Sequence, residues 1–139
     1  MINFQSLDIA FPEQINTTVL IRWIQLIAQQ HGKHAAELTF LFCSDERLLE
    51  INQKYLAHDY YTDIITFNLS ENPQILRGEI YISLDRVGDN AKNASQSFEN
   101  ELYRVISHGV LHLIGYDDQT HDDRQLMRSR EDYCLSLLP

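Results

Sequence analysis

Residues 97–118 read SFENELYRVISHGVLHLIGYDD, and this stretch decides the architecture of the chain. Ser97 suits a helix N-cap, Glu99 and Glu101 fall in the first turn where the helix dipole favours negative charge, and Leu102, Val105, Ile106, Leu111, Leu113 and Ile114 mark the apolar side. Gly115 ends the helix, because a residue without Cβ can take the left-handed conformation that turns the chain away. A helix so apolar along one side needs a second layer to cover it. Upstream, Ile64 to Leu69 is rich in β-branched residues, Glu79 to Ser83 alternates, and Glu71, Asn72 and Pro73 form a turn between them. The two strands should pair as neighbours.

Working outward, Asp85 opens a helix towards Ser95, and a last helix is predicted over about His121 to Leu137 with Leu126, Met127, Tyr133 and Cys134 inward. In the N-terminal half, Phe4 to Ile9 reads as a short strand. Thr17 caps a helix carrying Leu20, Ile21, Trp23, Ile24 and Ile27, with Gly32 at its end. Leu38 to Cys43 is a second strand, and Ser44 caps a helix with Leu48, Leu49 and Ile51 inward. The order β-α-β-α-β-β-α-α-α predicts a small α+β domain, residues 1–139, in which a mixed sheet of about four strands packs with about five helices.

The chain has 139 residues, of which 44% are apolar and 22% charged, a balance that supports one globular core rather than disorder. Its 11 Lys and Arg stand against 20 Asp and Glu, a formal charge of -9, which argues against a wide basic surface for duplex phosphates. The longest apolar runs fall far short of the roughly 20 residues of a membrane span. Met1 to Pro12 lacks the features of a signal peptide, and Cys43 and Cys134 read as reduced packing residues, so the cytoplasm is the expected compartment. The five glycines form neither a phosphate-cradling loop nor a dinucleotide fingerprint, and no nucleotide cofactor is expected.

The same helix carries the chemistry. His108 and His112 lie one turn apart on one face, where both imidazoles can reach a single ion. Such pairs arise often by chance. Here, however, Gly115 lets the chain double back towards the histidines and bring Asp118 or His121 into reach. His108, His112, Gly115 and Asp118 spell H-x-x-x-H-x-x-G-x-x-D, the frame of the long zinc motif of metzincin proteases with aspartate at the third ligand position. Three protein ligands with one open position are the catalytic form of a zinc site. The peptidase base that follows the first histidine in zincins is missing, since Gly109 stands there.

Ser107 to Asp118, SHGVLHLIGYDD, resembles the signature of the YbeY family, H-G-x-L-H-L-x-G-Y-D-H. Ile51-Asn52-Gln53-Lys54-Tyr55, Thr62-Asp63-Ile64-Ile65-Thr66-Phe67 and Gly78-Glu79-Ile80-Tyr81-Ile82 resemble the family's L-N-x-x-Y-R, T-D-V-L-S-F and G-D-I-x-I segments, in the same order. The resemblance implies a single-strand-specific endoribonuclease with one bound zinc, acting on ribosomal RNA or a ribosomal subunit in maturation and quality control. Two positions depart from the family. Asp118 replaces the third histidine, and a carboxylate oxygen can still bind zinc at about 2.0 to 2.2 Å. His121 is the rival ligand, though it would need a different loop path. Leu56 replaces an arginine thought to hold phosphate, for which Lys54 and His58 could partly substitute.

Around this site, Asp117 is read either as a hydrogen-bond acceptor for a ligand histidine or as part of the turn. Tyr60 and Tyr61 are the better candidates for stacking on bases, whereas Trp23 fits the core. Ser107 has no paired base, Cys43 has no basic neighbour, and Arg77 and Arg86 read as solvated surface. Two further function classes remain open: a non-catalytic ribosome- or RNA-associated domain with a structural metal, and a metalloprotease, for which Glu79 is the only base in view.

Overall fold

The computed structural model describes residues 1–139. In chain order the elements are β1 (Ile2–Ser6), α1 (Thr17–Gln30), β2 (His34–Cys43), α2 (Asp45–Leu56), β3 (Ile64–Asn68), β4 (Ile75–Ser83), α3 (Leu84–Asn93), α4 (Phe98–Ile114) and α5 (His121–Ser136). The sheet is open, with strand order β1-β2-β4-β3. β1 with β2 and β2 with β4 are parallel, while β3 and β4 are neighbours, as expected, and pair antiparallel. The α+β architecture of four strands and five helices is therefore as the sequence implies.

Register decides which side chains share a face. Phe40 lies opposite Ile80, and Thr66 is opposite the same Ile80, so Leu38, Phe40, Phe42, Ile80 and Ile82 point to one side. All five have no exposed surface and join one large cluster with residues of α1, α3, α4 and α5. Each fully buried side chain of this kind contributes about 1.5 to 3 kcal/mol relative to exposure. The other side carries a small cluster, Cys43, Leu48, Ile51 and Ile65, covered by α2.

Two glycines make room for α4 against the sheet. A Cβ on Gly109 would stand 2.9 Å from Cγ2 of Ile80 and 3.1 Å from Cδ1 of Ile64. A Cβ on Gly78 would come 2.6 Å from the Phe67 carbonyl oxygen and 3.1 Å from Leu113. Gly109 is therefore a packing requirement, and a glutamate there would collide with β4. α4 begins as expected, with Ser97 Oγ accepting from the Asn100 amide at 3.0 Å. It ends at Gly115, whose φ of 129° is open to glycine and strained for other residues.

Several boundaries differ from expectation for tertiary reasons. β1 spans Ile2–Ser6 rather than residues 4–9, because its limits follow pairing with β2, and Asp8 has left the ladder to accept from the Ser44 amide and hydroxyl. β2 starts at His34, since as a central strand it is paired along its full length with β4. Asn16, not Thr17, caps α1, and Ser83 caps α3 one position before Leu84. On α5 the inward row is Met127, Glu131 and Cys134, which leaves Leu126 and Tyr133 exposed.

Candidate metal centre

α4 places His108 and His112 with ring centroids 4.6 Å apart. Beyond it, the Gly115 amide donates to the carbonyls of Leu111 and His112, and the Tyr116 amide donates to Leu111 at 3.0 Å, folding the chain back over the helix end. The Tyr116 hydroxyl meets Nε2 of His31 at 3.0 Å and ties this turn to α1. Asp118 then faces both histidines: its Oδ2 lies 3.3 Å from Nε2 of His108 and 3.4 Å from Nε2 of His112. The ligand atoms of the three residues all fall within 4.8 Å of one another.

Behind the cluster, Nδ1 of His108 is bonded to Oε2 of Glu131 at 2.7 Å. With Nδ1 so engaged, Nε2 is the nitrogen turned towards Asp118 and His112. Burial pulls the His108 pKa down, but the Glu131 hydrogen bond and the charges of Glu131, Asp63 and Asp118 outweigh it, so His108 titrates above its ordinary value. Asp63 is shifted upward as well, by burial first, with His108 partly opposing. Two imidazoles and one carboxylate, converging with their free atoms together, form a donor set that suits zinc with a position left open.

The cluster lies in a cleft of about 760 Å³. Its walls come from the end of α2 with Leu56, the following loop with His58 and Tyr60, the β3 edge with Asp63, Thr66 and Asn68, and Leu113 of α4. Thr66 and Asn68 reach it because they share the α4 side of the sheet with Ile80 and Gly78. His58 and Tyr60 stack at 5.1 Å with an interplanar angle of 21°. The Asn52 side-chain amide, almost fully buried, donates to the Tyr60 carbonyl at 2.9 Å and fixes this loop. No lysine or arginine lines the cleft.

The structure thus brings together His108, His112, Asp118 and, along the wall, His58, Tyr60 and Leu56. His121 is the exposed first residue of α5 and stands outside the cluster. Lys54 falls in a separate depression with Tyr55 and Tyr81, its ammonium over the Tyr55 ring, because α2 turns that position away from the cleft. Asp117 takes the turn reading, accepting from the Asp118 amide at 2.8 Å. Tyr61 is spent on Glu46 and lies under Arg86, which itself pairs with Asp45, while Arg77 pairs with Glu37. Ser107 donates to the Arg104 carbonyl, Trp23 is core, and burial pushes the Cys43 thiol up to about 12. Glu79 shares the α2 side of the sheet with Tyr81, away from the histidines, so no protease base is supplied by that strand.

Glu131 and Asp63 are the residues that sequence reasoning passed over. A signal for Glu131 existed: it stands in the inward row between Met127 and Cys134, where a carboxylate needs a buried partner. Asp63 lay inside a quoted motif but had no spacing relation to the histidines.

Fold and site together define a small α+β protein that carries a two-histidine, one-carboxylate cluster at the foot of a cleft beside an edge strand. The family described as Endoribonuclease YbeY matches residues 1–138, and the chain belongs to that family. It is 42% identical to Endoribonuclease YbeY of Phocaeicola vulgatus, a match covering 99% of each chain. To Endoribonuclease YbeY of Cytophaga hutchinsonii it is 49% identical, over 83% of this chain and 80% of that one. The solution structure of TM1509 from Thermotoga maritima shares the fold, with a TM-score of 0.65, 24% identity, and coverage of 98% and 90%.

Proposed function

We propose that this protein is a zinc-dependent endoribonuclease acting on single-stranded RNA, in the cytoplasm, in ribosomal RNA maturation and ribosome quality control, and that residues 1–139 form one YbeY-like hydrolase domain. The observation that carries the reading is the convergence of His108, His112 and Asp118 at the foot of the cleft, in a chain whose relatives are named endoribonucleases. These three residues would hold the metal. Bound zinc supplies Lewis acidity towards a phosphate oxygen and lowers the pKa of water.

The remaining steps fall to the protein. Thr66 and Asn68 on the β3 edge line the cleft beside α4 and would offer a hydroxyl and an amide to the RNA backbone. The His58–Tyr60 stack offers a flat face for an unpaired base, worth about 1 to 3 kcal/mol per base, and a duplex cannot present a base that way. Asp63 lines the same wall, and burial moves its carboxyl above the ordinary value. With no lysine or arginine in the cleft, RNA affinity has a shallow salt dependence.

The test is cleavage of a labelled single strand and its duplex by metal-free protein with and without added zinc. Zinc-restored cutting of the single strand alone supports the reading, and His112→Ala must abolish it. Equal cutting by wild type and His112→Ala assigns the activity to a contaminant.

A further inference from the structure

Glu131 is 6% exposed and sits in the apolar layer where α5 meets α4. A carboxylate in such a place is tolerated only when both oxygens are satisfied. Here they are: Oε1 accepts from Nη1 of Arg104 at 3.1 Å, and Oε2 accepts from Nδ1 of His108 at 2.7 Å. Arg104 is held in turn by Asp132, whose Oδ1 takes Nη2 at 2.7 Å. Burial disfavours the guanidinium charge, but these two carboxylates outweigh it and move the Arg104 pKa upward. His112 has no comparable carboxylate behind its ring; its ion-pair distance is to Asp118 alone. One histidine of the cluster is therefore fixed from behind and the other is not.

We propose that Glu131 is a positioning residue: through the Arg104–Glu131–His108 chain it fixes the ring orientation and tautomer of His108, and it thereby sets the affinity of the cluster for zinc. The inference rests on the zinc reading of the site. Arg104 orients the Glu131 carboxylate, which accepts the hydrogen bond from Nδ1–H and leaves the Nε2 lone pair directed at the metal position. Such a partner also makes the imidazole a better donor, and its loss costs about 10- to 100-fold in metal affinity. The same residues fasten α5 to α4, so the C-terminal helix contributes a component of the site without touching the ion.

The experiment measures zinc affinity by competition with a chromogenic chelator, together with the Nδ1–H proton resonance of His108 in zinc-loaded protein. Glu131→Gln should weaken zinc binding by about 10- to 100-fold and shift or lose that resonance. Glu131→Asp, which keeps the charge but withdraws the oxygen from Nδ1, should fall between Gln and wild type. Met127→Ala, which loosens the same helix through its apolar contact, should lower thermal stability and leave zinc affinity and the resonance unchanged. Wild-type affinity in both Glu131 variants, or a loss in Met127→Ala equal to that in Glu131→Gln, overturns the proposal and leaves the function reading intact. Wild-type protein that takes up no zinc overturns both.

Discussion

The side of the sheet under α4 and the side under α2 differ in depth, and the site is built across that difference. Under α4, Leu38, Phe40, Phe42, Ile80 and Ile82 are sealed in the large cluster, and the histidines stand on a helix seated against it. Under α2, only Cys43, Leu48, Ile51 and Ile65 are buried together, and Tyr55, Leu56 and Tyr60 beyond them are exposed. If the histidines hold a metal, they need placement to within a fraction of an ångström, which the deep side would supply. On the proposed reading, a wall that receives a flexible RNA strand needs room to adjust, which the thin side would supply.

The sharpest break of this comparison is at the ligands. Replacing both His108 and His112 with alanine should empty the site of zinc, read by elemental analysis, and reduce RNA cleavage to that of metal-free protein. Tyr60→Ala on the other wall should raise KM by roughly 10-fold, the scale of one lost base stack, with zinc content unchanged. For stability, Leu111→Ala in the deep cluster should cost about 3 to 5 kcal/mol in urea unfolding, against about 2 to 3 for Leu48→Ala, whose site can collapse more easily. Equal losses would mean that the two sides are equally well packed. Gly109→Ala should cost about 1 to 3 kcal/mol by pressing α4 off Ile80, and it should weaken zinc binding at the same time.

The smallest effect separates the two cysteines from solvent chemistry. Burial pushes Cys43 up to about 12 and Cys134 up to about 11, so both stay protonated at neutral pH. Native protein should resist alkylation at pH 8, whereas urea-unfolded chain labels at both positions, as mass spectrometry would show. From pH 9 to about 11 the unfolded chain releases thiol protons that the folded chain keeps, so stability falls as pH rises through that window.

What could be read in advance was what the chain specifies locally. Ser97, the apolar spacing through Ile114, Gly115 and the one-turn separation of His108 and His112 all act within a few residues, and α4 follows from them. The limits of β1 and β2 were harder, because strand ends are set by the partner strand. Gly109 could be noted as a missing carboxylate, but its cause, the contact with Ile80, belongs to another element. Glu131 is the clearest case: the row Met127, Glu131 and Cys134 marks it as inward, but its partners His108 and Arg104 lie on a different helix, and the spacing of residues 121–137 does not name them.

The strand order also dictates a sequence of events during folding. The β3–β4 ladder joins Asn68 to Gly78 and Ile64 to Ile82, so it closes short loops. The parallel ladders join His34 to Ile75 and Ile2 to Leu38, and longer closures cost more chain entropy and slow pairing. The hairpin is therefore expected to form before the parallel ladders, and α4, separated from it only by α3, can settle on Gly78 and Ile80 before the N-terminal strand docks. On the ribosome the timing is less kind to β2, whose apolar run from Leu38 to Cys43 emerges well before β4 exists to cover its inner edge. That strand is where premature pairing with another chain would begin, and the speed of the hairpin limits how long it waits.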